Sequence, residues 1–576
     1  MTIDPSPRDD GPMSDEYFDL GTYSHRVTTS SPLAQQWFDR GLVWTYGFNH
    51  EEAVACFQRA VEADPNCAMA FWGIAYALGP NYNKPWEFFD ETELGTVVER
   101  THEAAVRARE LAGSATPVEQ ALIGALVHRY PASTPDGPAG EAQTCAVWNV
   151  AFADAMRTVY DEHPEDLEVA TLFADALMNL TPWALWDLVT GEPAPGSYAL
   201  EIKDVLERAM TLPGGRDHPG LLHLFIHLVE MSSTPENGLP VANRLRDLVP
   251  DAGHLRHMPS HLDVLCGDYQ QVITANLRAI EADEKFVDRE GPMNFYTMYR
   301  CHDLHFAVYG AMFLGQSEIA LTVVEQLERT IPDDLLHVDV PPMADWLEGF
   351  LGLRVHVYIR FGMWAELIAL ELPSDPELKC TTTALIHYGR GVAYAATGRV
   401  PEAEAERELF REAVRRVPES RILFNNTCRD ILAVASAMLD GELQYRRGNI
   451  DAAFQHLRRS IALDDHLPYD EPWGWMQPTR HAYGALLLEQ ARVEEAEAVY
   501  RADLGYDDTL RRSVQHPRNV WSLHGYHECL TRLGKTGEAA IIGRELTLAA
   551  ALADVPVVAS CLCRLDVAGP PSHGCC

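Results

Sequence analysis

Residues 37–65 read WFDRGLVWTYGFNHEEAVACFQRAVEADP, and this stretch decides the fold. Gly41, Ala53 and Ala60 are small enough for two helices to approach closely, Trp37 and Phe57 are large enough to fill the space beside them, and Pro65 ends the second helix. The same Gly, Ala and Pro landmarks recur with starts near residues 68, 219, 253, 301, 348, 384, 434, 477 and 520. HLDVLCGDYQQVITANLRAIEAD, AYGALLLEQARVEEAEAVYRADL and HECLTRLGKTGEAAIIGREL are clear examples. Alternating β-branched runs are absent, so the expected architecture is all-α, a superhelical array of helix-turn-helix repeats, or α-solenoid.

The offsets of Trp37, Gly41, Trp44, Ala53, Phe57, Ala60 and Pro65 resemble those of the tetratricopeptide (TPR) repeat. Outward from them the chain divides into an acidic N-terminal tail (1–30), N-terminal repeats (31–112), an irregular helical segment with insertions (113–215), His-rich central repeats (216–335), C-terminal repeats (336–550) and a Cys-containing tail (551–576). Insertions break the period at residues 80–215, including GPNYNKPWEFFDETEL, and at 285–300. In repeat arrays such insertions form loops on one face, often the binding face.

A length of 576 residues exceeds what one core supports, which agrees with an array. Asp and Glu number 84 against 46 Lys and Arg, a formal net charge of -38, and so acidic a surface repels phosphate backbones and anionic lipid. Neither a nucleic acid nor a membrane is an expected partner. No run reaches the ~18 apolar residues of a membrane helix. The N-terminus MTIDPSPRDDGPMSDEYFDL lacks a basic and then apolar leader, so a cytoplasmic location is expected.

Histidine carries the chemical signal. Eight of the 23 His lie between His218 and His305, in LLHLFIHLVEMS, GHLRHMPSHLDVLCGDY and CHDLHFAVYGAMFLGQ. His223 and His227 are four residues apart, as are His257 and His261, and each pair shares one helix face. The second pair repeats the first after 34 residues, one repeat unit, so the two faces stack side by side. His254 extends the second row. His302 and His305, with Tyr309 in register, form a third.

Seven imidazoles on adjacent helices can close on a shared ion, and imidazole suits Zn, Cu, Fe and Ni. The patch is poor in carboxylate, with Glu230 alone on the face of His227, so a carboxylate-rich di-iron site does not fit. A transition metal is the expected cofactor, copper favoured over iron or zinc. His223, His227, His254, His257, His261, His302 and His305 are the candidate ligands. Glu230 is the candidate base or extra ligand, and Tyr309 a supporting donor.

Other features are weaker. Tyr296, Tyr299 and Arg300 adjoin the third row. Trp183 and Trp186 read as core, and His481 and His524 as polar groove residues. Cys561 and Cys563, with Cys575, Cys576 and His573, offer ligands for a soft metal, but C-x-C alone is a weak signal and a mobile tail is the expected reading. Nucleotide-binding, serine-hydrolase and H-E-x-x-H motifs are absent.

The His-rich motifs, with AFWGIAYALGPNYN and ADLGYDDTLRRSVQHPRNVWSLHGY, resemble a group of bacterial tetratricopeptide proteins with a His-rich central region, over roughly residues 30–565. That resemblance implies the solenoid, and a groove lined by first-helix residues. It implies no reaction. The leading expectation is an enzyme oxidising a small organic molecule with O2 at a copper or iron centre in the concave groove. A zinc hydrolase at the same site is one alternative. The other is a non-catalytic module that binds a peptide or protein partner, or stores or delivers metal. Only 5 of the 46 basic residues are Lys, which counts against an adaptor that grips a peptide carboxylate.

Overall fold

The computed structural model describes residues 17–135 and 141–565. The protein is all-α, built of antiparallel helix pairs of TPR type. The first pair, Pro32–Tyr46 and His50–Ala63, shows why the motif folds this way. Ser31 caps the first helix and Asn49 the second, each side-chain oxygen accepting a backbone N–H of the first turn. A Cβ at Gly41 would lie 2.7 Å from the ring of Phe57, and one at Gly73 2.6 Å from it, so the ring occupies space that only glycine leaves open. Gly484 and Gly525 hold Tyr500 in the same way.

The chain divides into two compact units, Met1–Leu262 with Arg278–Arg300, and Asp263–Leu277 with Cys301–Cys576. The second contains the pairs Cys380–Ala396 with Val400–Val414, Cys428–Arg446 with Ile450–Asp465, Thr479–Glu489 with Val493–Asp503, and Val520–Arg532 with Thr536–Ala550. The turn inside a pair needs a left-handed residue, and glycine supplies it at Gly315 and Gly448, with φ of 76° and 80°. The first pair instead places Phe48 there, at φ 55°. Ala491 stands at the same place in the pair Thr479–Glu489 with Val493–Asp503, at φ 57°, but left-handed backbone disfavours a side chain as bulky as that of Phe48 more strongly.

The insertion-bearing region is mostly helical, with Glu91–Leu111, Pro117–Leu126, Glu141–Glu162, Leu167–Met178 and Ala199–Thr211. Its irregular parts include the turn around the Asn81–Lys84 bridge and the bend at Trp183, where φ is 56°. The one named pair of strands among the described residues is a hairpin, Ile422–Leu423 with Asn426–Thr427, whose turn holds Phe424 at φ 49°. No helix among the described residues is long and apolar enough to cross a membrane.

Candidate metal centre

Helix Pro219–Glu230 is set in place by His218, whose Nδ1 accepts the Leu221 N–H as the N-cap while its Nε2 meets Glu168 at 3.1 Å. One of the eight clustered histidines is thereby a capping residue. His223 and His227 follow on the buried face, at 1% and 0% exposure.

Their hydrogen bonds settle the tautomers. His223 Nδ1 lies 2.6 Å from the Tyr46 carbonyl, which can only accept, so Nδ1 carries the proton and Nε2 the lone pair. His227 Nδ1 lies 2.8 Å from Glu230 Oε1, with the same consequence. Neither Nε2 has a hydrogen-bond partner among the described residues. Burial, reinforced by His227, holds the His223 imidazole well below its ordinary pKa, and burial pushes His227 down to about 3. Both are neutral, the form that binds metal.

Glu230 also receives a second imidazole. His261 Nδ1 donates to Glu230 Oε2 at 2.6 Å, so one buried carboxylate orients two histidines from separate helical segments. His261 Nε2 in turn lies 2.7 Å from His257 Nε2. His227 meets His261 edge to face at 5.8 Å, the partner that the 34-residue offset predicts, whereas His223 meets His254, 31 residues on, edge to face at 5.0 Å. His223, His227 and His254 each offer one nitrogen, all within 4.8 Å of one another, and His227, Glu230 and His261 form a second such set. These buried clusters could hold a metal ion.

The walls come from residues that sequence reasoning missed or read as packing. Phe48 lies 4.5 Å from His223, 5.8 Å from His227 and 5.6 Å from His254, ring centre to ring centre, so the left-handed turn presents its ring to all three imidazoles. Tyr82 from the first insertion and Trp183 at its strained bend approach His227 at 5.0 and 5.7 Å. Trp183 is thus part of the wall of the cluster, where the sequence suggested ordinary core. The signal for Phe48 is a repeat alignment that puts phenylalanine where turns such as those at Gly315 and Gly448 carry glycine. A cavity of about 20 Å³ adjoins His223, bounded also by Phe48, His50, Tyr76 and Asp175, with room for about one water molecule.

Tyr296 and Tyr299 support His254. The Tyr296 hydroxyl donates to Asp283 at 3.1 Å and accepts the His254 N–H at 3.2 Å, and the Tyr299 ring lies 4.8 Å from His254. Arg300 is spent on Thr297 rather than offered to a ligand.

His302, His305 and Tyr309 belong to the second unit. There His302 packs on Phe424 at 4.6 Å, and His305 shares a small cavity with His356. Tyr309 is stacked between Phe313, at 4.2 Å, and Trp473, at 5.5 Å, and burial raises its phenol well above the ordinary value, so it stays protonated in a packing position. The structure therefore gathers His223, His227, His254, His257, His261 and Glu230 in one unit and the other three candidates in the other. Cys561 and Cys563 are joined in a disulfide and Cys563 is fully buried, in contrast to the mobile tail expected from sequence. His573, Cys575 and Cys576 lie outside the described residues.

No family model and no curated protein matches the chain. Among solved structures it is similar to yeast Tom70, at 10% identity over 89% of this chain and 92% of that one, with a TM-score of 0.27. It is also similar to Cut9 in the Cut9–Hcn1 hetero-tetramer of the APC/C, at 12% identity over 90% and 87% with a TM-score of 0.27. A third is the Naa15/Naa10 complex bound to HypK, at 12% identity over 90% and 70% with a TM-score of 0.21. Likeness at this level extends neither an activity nor a partner to this chain.

Proposed function

We propose that this chain is a transition-metal-binding helical-repeat protein whose first unit holds an ion on His223, His227 and His254. The observation that carries the reading is the pair of buried Nε2 lone pairs on His223 and His227, each with its Nδ1 proton committed to a fixed acceptor and with no partner of its own among the described residues. A buried polar atom without a partner calls for an occupant, and two neutral imidazoles beside a third are suited to a transition metal. Glu230 orients His227 and His261, as outer carboxylates do for metal-ligating histidine, and is not itself the ligand.

Charge balance favours copper in its cuprous state. The walls of Phe48, Tyr82 and Trp183 are aromatic, and beside the one Glu230 carboxylate a dication leaves a net positive charge that is expensive to desolvate. A monovalent ion paired with the single charge of Glu230 is neutral overall. Zinc and iron remain the competing occupants that the measurement separates.

Oxidising an organic molecule at copper or iron, or hydrolysing one at zinc, requires a substrate beside the metal. The cavity at His223, about 20 Å³, admits a water-sized guest. Metal holding without organic turnover is therefore the function the geometry supports best. Elemental analysis of the full-length protein, purified without a chelator or His tag and then exposed to Cu(I), Zn(II) and Fe(II) in turn, tests it. Stoichiometric copper that is lost in His227→Ala is the expected result. A parent protein that retains none of the three ions, or a variant that retains as much as the parent, overturns the assignment.

A further inference from the structure

We infer that residues 556–565 (PVVASCLCRL) are a built-in peptide ligand of the second unit, and that the surface they cover recognises a segment carrying a hydroxyl residue and, four positions later across a tight turn in which the Arg564 N–H donates to the Cys561 carbonyl at 3.2 Å, an arginine. After helix Thr536–Ala550 the chain turns back without regular secondary structure. Its hinge is fixed at Asp554, whose carboxylate accepts the Ser317 and Glu318 N–H groups at 2.7 and 2.9 Å. Beyond it the segment lies against several successive helix pairs. Ser560 is held at three points: its carbonyl accepts from Arg360 at 3.1 Å, its hydroxyl donates to the His481 carbonyl at 2.7 Å, and that hydroxyl lies 2.6 Å from the Tyr500 phenol. Leu562 fills the open side of Gly362, where a Cβ would come within 2.8 Å of it. The Cys563 carbonyl accepts from Arg446.

The last contacts are the most selective. Arg564 makes a two-pronged pair with Glu528 at 2.8 and 3.1 Å, and the Leu565 N–H donates to Glu489 at 2.9 Å. Each receptor side chain answers a feature that any peptide backbone offers, a carbonyl or an N–H, except at Ser560 and Arg564, where side chains are read. The forked guanidinium–carboxylate pair supplies strength and direction together. Ser560 and Arg564 are 1% and 2% exposed, whereas Pro556, Val558 and Leu565 face solvent. Only part of the segment is buried, and it lacks helical hydrogen bonds, so it opens at less free energy than the helices beneath it. A second polypeptide with the same Ser…Arg spacing competes for the exposed surface.

The test uses the full-length chain with Arg564→Ala, which loosens the built-in segment, and a fluorescent synthetic peptide of residues 556–565. The peptide is expected to bind the variant at least ~10-fold more tightly than it binds the parent, and to lose that binding when Glu528→Ala is added. Equal binding to parent and variant, or binding indifferent to Glu528→Ala, overturns the inference. Hydrogen exchange on the unaltered chain provides an arm independent of variant folding. Amides of residues 556–565 are expected to exchange ahead of helix Val520–Arg532, and exchange only in concert with that helix shows the segment to be core rather than ligand.

Discussion

The phenyl ring of Phe48 lies stacked on the imidazole of His227, their centres 5.8 Å apart and their planes 15° from parallel, while the Phe48 backbone sits at φ 55°. A turn that glycine would satisfy without strain thus holds an aromatic wall against the candidate ligands.

Phe48→Gly separates the two effects. Relief of left-handed strain returns about 1–2 kcal/mol, whereas loss of a buried aromatic ring costs about 3–5 kcal/mol, for a net loss of about 1–4 kcal/mol. Urea unfolding reads this. The variant is also expected to release bound metal to a chelator faster than the parent, because water then reaches His223 and His227.

Glu230→Gln keeps the shape of the side chain but offers only one carbonyl acceptor to two imidazole N–H donors. One of His227 and His261 must then move its proton to Nε2, which removes a lone pair. A loss of about 10–100-fold in metal affinity is expected, with helical content unchanged, from competition against a chelator and circular dichroism.

His356, in the second unit, supplies a pH signature. Burial, with a smaller contribution from Arg360, lowers its pKa from 6.5 to about 3. Below pH 6.5 the unfolded chain binds this proton and the folded chain does not, so the contribution is complete above 6.5 and is lost as pH falls towards 3. His356→Phe keeps the edge contact with Trp475, 4.8 Å away in the parent, and removes the titration. The parent is expected to lose stability relative to the variant by about 1.4 kcal/mol per pH unit below 6.5, read from urea midpoints at stepped pH.

Gly41 and Gly95 make opposite predictions from the same substitution. Alanine at Gly41 collides with the Phe57 ring and is expected to destabilise by about 1–3 kcal/mol. At Gly95, inside helix Glu91–Leu111 and with nothing within 4 Å of a new Cβ, alanine is expected to stabilise by about 0.5–1 kcal/mol. Thermal unfolding of the two variants checks both signs.

The repeat was legible because its determinants are local: small residues at Gly41, Ala53 and Ala60 and a ring at Phe57 report how two neighbouring helices pack. The His rows were legible for a related reason, since the four-residue spacing and the 34-residue offset follow from helix and repeat periods. Less of the site could be read. Tyr82 and Trp183 reach His227 from an insertion and a bend that no period governs, and Glu230 serves His261 as well as His227 through a contact 31 residues long in sequence.

By itself, the sequence determined an all-α repeat protein with imidazoles on stacked helix faces, because periodicity converts residue spacing directly into direction. Only the tertiary structure decided which imidazoles meet, which nitrogen of each keeps its lone pair, that His302, His305 and Tyr309 stand in the other unit, and that the segment around Ser560 and Arg564 is docked. Those outcomes depend on hydrogen-bond partners and walls brought together across long separations, Tyr46 to His223 over 177 residues and Arg360 to Ser560 over 200, which no local pattern encodes.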